Sequence, residues 1–128
     1  MRYLIDSSAW IEYLEGSSIG EEVHRVLESK EEVFILALNI AEVISKMKRK
    51  GKNYQVAYES MIKNSKVVEV TPKIAMEAGL LHSEIKPKNS SFSLADALII
   101  KSAESISAKI ITKDHHFKDF KESIILSK

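Results

Sequence analysis

The chain contains no cysteine. Disulfides, thiolate zinc sites and cysteine nucleophiles are therefore excluded, and a reducing compartment is permitted. Long apolar runs are missing too: nothing approaches the roughly 18 residues that a membrane span needs. The opening Met1-Arg2, three apolar residues and then Asp6, is too short for a secretory signal. These absences predict a cytoplasmic protein without a membrane role. Neither sign of charge dominates, with 19 Lys and Arg against 18 Asp and Glu, so the net charge of +1 names no partner and only local clusters can. There is no G-x-x-x-x-G-K-[ST] and no G-x-G-x-x-G, which argues against nucleotide cradling. Glycine and proline are sparse, four and two respectively. All but Gly79 fall where a helix is expected to start or stop: Gly16, Gly20, Gly51, Pro72 and Pro87.

What is present is an ordinary folding composition, 45% hydrophobic and 29% charged over 128 residues. That length predicts one domain, residues 1–128, able to bury about two thirds of its unfolded surface. The stretch Tyr3-Leu4-Ile5-Asp6-Ser7-Ser8 organises the rest. Its apolar residues do not alternate with polar ones, which fits a strand at the centre of a parallel sheet covered on both faces. The strand is expected to end at Asp6 and to pass at once into a helix reaching about Glu15. Helices are then expected to about Ser29, from Asn39 as N-cap to about Lys50, over Asn53–Lys63, from Thr71-Pro72 to Pro87, and from Ser93 through Ile106. Strands are expected at Val33–Ala37, Val67–Val70, Lys109–Thr112 and Ser123–Leu126, with a turn or short helix over His115–Phe120. Lys86–Ser93 reads as the one clear loop. Strands alternating with helices predict an α/β fold with a mainly parallel sheet.

Four acids stand at strand-to-helix junctions or on the first turn of a helix: Asp6, Glu42, Asp96 and Asp114. In a parallel sheet the helices that leave strands begin at the strands' carboxyl edge, where ligands bind. The order of elements puts Asp6, Glu42 and Asp114 there directly; Asp96 requires tertiary packing. Each acid alone also has a structural reading. Asn39-x-x-Glu42 and Ser93-x-x-Asp96 have capping-box spacing, and Asp6 and Asp114 read as N-caps. Taken together, four carboxylates without a counter-charge repel one another. Hard divalent cations such as Mg²⁺ or Mn²⁺ are the usual partners of such a set. These ions act on phosphate esters, activating water and clamping the oxygens of an in-line displacement.

Asp6-Ser7-Ser8-Ala9 after an apolar strand, Glu42 on a mid-chain helix, Leu94-Ala95-Asp96-Ala97 and Ile111-Thr112-Lys113-Asp114-His115-His116-Phe117 together resemble the motifs of PIN-domain nucleases. The resemblance covers essentially the whole chain and is strongest to the toxin component of VapBC toxin–antitoxin modules, a bare PIN domain of this size. It implies a three-layer α/β fold with sheet order 3-2-1-4-5. It further implies a metal-dependent endoribonuclease with Asp6, Glu42, Asp96 and Asp114 as catalytic metal-site residues. Dimerisation and inhibition by a partner antitoxin are implied as well. One departure is Lys113-Asp114-His115-His116, where the family often has another acid or Asn soon after the last Asp.

The remaining features admit two readings each. Ser8 and Thr112 either support the metal site by bonding a carboxylate or simply satisfy turn backbone. Lys46, Lys48, Arg49, Lys50 and Lys52 are either an RNA-phosphate contact or, more simply, a solvated helix C-terminus where cations are favoured. His115 and His116 invite a transition-metal reading, against which adjacent turn histidines are more often just exposed. His24 and His82 have no visible partner. Tyr3, Trp10, Tyr13 and Phe34 are core or interface residues. Two rival functions stand beside the nuclease: a PIN-fold module that binds RNA or protein without catalysis, and an α/β phosphohydrolase with Asp6 as nucleophile. The latter chemistry usually wants a second acid two residues on, where this chain has Ser8.

Overall fold

A computed structural model of the chain describes residues 1–127. Five parallel strands form one sheet in the order β3-β2-β1-β4-β5. They are β1 (Arg2–Ile5), β2 (Glu32–Leu36), β3 (Lys66–Val68), β4 (Lys109–Thr112) and β5 (Ser123–Ile125). Six helices connect them: α1 (Ser7–Leu14), α2 (Gly20–Glu28), α3 (Ala37–Arg49), α4 (Tyr54–Asn64), α5 (Pro72–Ile85) and α6 (Leu94–Ser105). A short 3₁₀ turn spans His115–Phe117. Among the described residues no helix is long and apolar enough to cross a membrane.

The unalternating strands now have a cause. Successive side chains of a strand point to opposite faces, and here both faces are covered. Ile5, Ile35 and Ile111 belong to a core with Trp10 of α1, Val23 of α2, Val43 and Met47 of α3, and Ala57 and Met61 of α4. Their sequence neighbours Leu4, Leu36 and Ile110 belong to a second core with Ala78 of α5, Ala97, Ile99 and Ala103 of α6, and Phe117. The result is three layers, helices on both sides of the sheet. Trp10 is completely buried and meets Tyr13 edge to face, so it is a core residue and not a surface one. Gly20 is also fixed by packing, because a Cβ there would run into the backbone of Glu12 and Tyr13.

The expected helices are all present, with shifts of a residue or two at their ends. The largest change is at the start of α3. The helix opens at Ala37, with extended Leu36 before it and no side-chain cap. Ala37 is therefore helical, and Asn39 lies inside the first turn instead of capping it. The strand expected at Val67–Val70 is Lys66–Val68, and the last strand ends at Ile125. Thr71 does cap α5, accepting from the Ile74 amide at 3.2 Å. Ser93 and Asp96 form a complete capping box on α6. Gly51 terminates α3 in the left-handed conformation (φ +69°) that glycine adopts without penalty.

The chain runs outward from β1 through β2 to β3, then returns past β1 to β4 and β5. The reversal falls beside β1, and in open α/β sheets that is where ligands bind, beyond the carboxyl ends of the strands. Asp6 follows β1 directly at this point.

Candidate functional site

Asp6 is buried, but its side chain does not cap α1. The carboxylate reaches into a set of neutral donors. Its Oδ2 accepts the Thr112 hydroxyl at 2.8 Å and the Ser8 hydroxyl at 3.0 Å. Its Oδ1 accepts the Asn39 side-chain amide at 3.3 Å. Burial pushes the Asp6 carboxyl above its ordinary value. The Thr112 and Ser8 hydroxyls and the Ser7 amide pull it back without prevailing, and the charge of Glu42 adds to the rise.

Both hydroxyls bond the Asp6 carboxylate and the backbone of the turn after β4. Thr112 donates to Asp6 and accepts the Asp114 amide at 2.9 Å. Ser8 donates to Asp6 and accepts the Lys113 amide at 3.0 Å. Each therefore fastens the turn after β4 to the carboxylate after β1. Because Oδ2 already takes both protons, the short Ser8–Thr112 separation of 3.2 Å reflects two donors converging on one acceptor.

Asn39 is the residue that reading the sequence missed. It is fully buried, and its amide donates both to Asp6 and, at 3.2 Å, to Glu42 Oε1. The Asn39-x-x-Glu42 capping box does not form, since α3 begins two residues before Asn39. The amide instead couples the two acids across the gap between β1 and α3. The one signal for this was the pattern itself: an Asn three residues before a Glu lies on the same helical face as that Glu.

Asp96 and Asp114 form the other part of the site. Asp96 Oδ2 accepts the Ser93 amide at 2.9 Å, as its capping box requires. Asp114 Oδ1 accepts the His116 amide at 2.9 Å, which closes the turn. His116 then lies between them: its Nδ1 is 3.3 Å from Asp96 Oδ2 and 3.3 Å from Asp114 Oδ1. These distances lack the alignment of hydrogen bonds, and among the described residues the buried Nδ1 has no hydrogen-bond partner. Asp96, Asp114 and His116 offer three ligand atoms within 4.8 Å of one another. His115, next door, is exposed. The expectation of two exposed turn histidines is thus corrected for His116 alone. Thr112 joins this group to Asp6 through the hydrogen bonds already described.

No Lys or Arg among the described residues pairs with Asp6, Glu42, Asp96 or Asp114. The nearby cations are used elsewhere or left free. Lys113 pairs with Glu12 at 3.1 Å and Lys50 pairs with Glu15. Lys48 stands over the Tyr54 ring at 5.4 Å from its centroid. Lys46 and Arg49, with Ser45, line an open groove whose other walls are Ser7, Ser8, Ile11, Ala41 and Glu42. The basic cluster therefore divides: two of its side chains border the acidic edge and two are engaged away from it. Lys52, beyond the Gly51 turn, is exposed. His24 and His82 stack on Tyr13 and Phe92 respectively and take no part in the acidic edge.

The model of the PIN domain matches residues 3–123. The chain belongs to the PIN-domain family. No curated protein matches it by sequence. Solved structures similar to this PIN domain share its fold at low identity. A toxin–antitoxin complex from Klebsiella pneumoniae contains a chain 18% identical with a TM-score of 0.77, over 95% of both chains. VapBC2 from Rickettsia felis, bound to a promoter DNA fragment, gives 19% identity and a TM-score of 0.75 over 98% of this chain and 97% of that one. Mycobacterium tuberculosis VapC20, described as a sarcin–ricin loop cleaving toxin, gives 16% and 0.73 over 94% of this chain and 97% of that one. The strand order 3-2-1-4-5 implied by the motif resemblance is the observed one.

The donor set of this PIN domain fits a divalent cation. Among the described residues Asp96, Asp114 and His116 offer ligand atoms within 4.8 Å of one another, with the buried His116 Nδ1 between the two acids, and Asp6 and Glu42 fall outside that group. Oxygen-rich sets of this kind suit Mg²⁺ and Mn²⁺.

Proposed function

We propose that the chain is a single-domain, divalent-metal-dependent endoribonuclease that hydrolyses RNA phosphodiester bonds as the cytoplasmic toxin of a toxin–antitoxin pair. One observation carries this reading: Asp6 is buried with only neutral hydrogen-bond donors. An ionised carboxylate in that position is costly without a cation nearby. Asp6, Glu42, Asp96 and Asp114 would hold Mg²⁺ or Mn²⁺. A cation bound there supplies an activated water and offsets charge on the phosphodiester as it is displaced.

The chain's own residues prepare the site. Thr112, Ser8 and Asn39 hold both oxygens of Asp6 in a fixed orientation, so little reorganisation is needed when the cation and substrate arrive. Asn39 holds Glu42 on the same side. The Ser93 amide and the His116 amide orient Asp96 and Asp114. Lys46 and Arg49, bordering the groove that leads to Glu42, suit the phosphates of the RNA strand better than Lys48 and Lys50 do. No side-chain nucleophile is required. Asp6 in particular is a poor one, because both of its oxygens are engaged and Ser8 stands where a phosphohydrolase wants its second acid.

The antitoxin partner is inferred from the structural neighbours, several of which are toxin–antitoxin complexes. A homodimer is proposed on the same resemblance. The apolar side chains exposed on the surface suit such contacts: Tyr54, Tyr58 and Ile62 along α4, and Met76 and Leu80 on α5. A specific dimer would bury upwards of about 1,200 Å² in total.

The test is cleavage of a generic RNA by the wild-type chain in Mg²⁺ or Mn²⁺, with chelator and Asp6→Asn as controls. Cleavage confined to the wild type with metal supports the reading. Metal-independent cleavage contradicts the metal-dependent reading, and no cleavage by a folded and metal-loaded protein points to the non-catalytic binding module. A phosphorylated Asp6 points to the phosphohydrolase.

A further inference from the structure

We infer that His116 is a direct metal ligand through Nδ1, and that the site it shares with Asp96 and Asp114 prefers a first-row transition ion to Mg²⁺. This rests on the proposed metal site but not on the reaction assigned to it. The ring nitrogen is the decisive atom. The side chain as a whole is 36% exposed, yet Nδ1 is buried and has no hydrogen-bond partner among the described residues. A ring at the surface is free to turn its nitrogen toward water. Instead Nδ1 is turned inward, equidistant from one oxygen of Asp96 and one of Asp114 at 3.3 Å.

That spacing is what a shared ion requires. Two adjacent donors bound to one octahedral ion at roughly 2.1 Å stand about 3 Å apart. The backbone holds the arrangement. Asp114 Oδ1 accepts the His116 amide, so the same turn that positions the carboxylate positions the ring. Asp96 is fixed from the other side by the N-cap of α6. Two carboxylate oxygens and an imidazole nitrogen form a mixed set. Oxygen-only sets suit Mg²⁺ and Mn²⁺ alike, whereas an imidazole suits the first-row transition ions beyond them, so Mn²⁺, the first of that row, should gain from it over Mg²⁺.

The experiment uses the full chain with Mn²⁺ as the probe and compares wild type, His116→Asp and His115→Asn. Electron spin-echo envelope modulation of bound Mn²⁺ should show a directly bonded ¹⁴N in wild type and His115→Asn, absent in His116→Asp. Calorimetric titration with Mn²⁺ and Mg²⁺ should show the Mn²⁺-to-Mg²⁺ affinity ratio falling by about tenfold or more in His116→Asp, the scale seen when support for a metal is removed. Bound Mn²⁺ without nitrogen modulation in wild type overturns the inference, whatever the variant does, and leaves the nuclease reading standing. An unchanged ratio in a folded His116→Asp also overturns it. Nitrogen modulation in a protein that cleaves no RNA upholds this inference and removes the nuclease reading. Failure of the wild type to bind either ion removes both.

Discussion

Asp6 and Glu42 are held by side chains, Asp6 by Ser8, Asn39 and Thr112 and Glu42 by Asn39 of its own helix, whereas Asp96 and Asp114 each also serve the backbone of the turn on which they stand. Asp96 closes the capping box of α6, and Asp114 accepts the His116 amide. Both would have a structural task in a protein without a ligand. Among the described residues the Asp6 side chain caps no helix, and Glu42 accepts only from Asn39. The difference separates two ways of keeping an acid at a sheet edge. In one half the acid stabilises its own helix or turn. In the other, burial makes Asp6 costly to the metal-free fold, and the proposed cation would account for its placement.

Replacing acids in the two halves should therefore have the same effect on activity and different effects on stability. Asp6→Asn and Asp114→Asn should each lower RNA cleavage by two orders of magnitude or more, roughly 3 kcal/mol of barrier. In chelator Asp6→Asn should be at least as stable as wild type. Its Oδ1 still accepts from Thr112 and Ser8, and the buried Asn39 Oδ1, which has no partner, can receive the new amide if the Asn39 side chain turns over. Cleavage rates and chemical denaturation of the same preparations check both halves. A fully active, folded Asp6→Asn would remove Asp6 from the mechanism.

The raised Asp6 carboxyl adds a pH dependence confined to one half. Its folded-state value lies above the unfolded one, so the native state binds more protons in the window between them. The stabilisation is fully present below about pH 4, the unfolded value, and is lost as pH rises through the folded one, at up to about 1.4 kcal/mol per unit. In chelator the stability of Asp6→Asn relative to wild type should thus grow with pH across that window. A difference independent of pH, measured by urea denaturation, would show that Asp6 is not destabilised by its burial.

Truncation sharpens the comparison on a smaller scale. Asp96→Ala removes the capping partner and should cost about 1 kcal/mol in chelator. Glu42→Ala should stay within about 0.5 kcal/mol. The reverse order would show that the cap in α6 contributes nothing and that Glu42 supports the fold. The smallest effects concern the basic cluster. Lys46→Ala and Arg49→Ala should each reduce the salt slope of single-stranded RNA binding by roughly 0.7. Lys48→Ala and Lys50→Ala should leave it unchanged. Equal effects from all four would mean that the groove beside Glu42 is not the path of the strand.

The fold was largely legible because strands buried on both faces carry continuous apolar runs, and Leu4, Ile5, Ile110 and Ile111 do so. The four acids stood out because each follows a strand or lies on the first turn of a helix, and of them the structure draws Asp96 and Asp114 together, with His116. Asp96 seemed out of reach because α6 follows a helix, yet a signal existed. A helix that feeds β4 runs back along the sheet, so its first turn lies at the edge where β4 ends. What remained hidden is the work of side chains that span distant elements. Asn39 looked like a cap because local spacing cannot reveal that α3 opens two residues earlier, at Ala37, or that Asp6, 33 residues away, accepts from its amide. His116 looked like an exposed turn residue because sequence does not show which edge of a ring faces inward. Trp10 read as core or interface, and its complete burial in the core on the α1 side of the sheet decides for the core.

The central claim is that the two halves bind one cation site. The direct measurement is melting temperature in chelator followed by Mn²⁺ titration, for wild type, Asp6→Asn and Asp96→Asn. A ligand specific to the native state stabilises it by about 2.7 kcal/mol at a hundredfold excess over its Kd. The wild type should show a dose-dependent rise, and both variants should lose most of it. If either variant keeps the full wild-type rise while the other loses it, the halves are separate and the account of a single site is wrong.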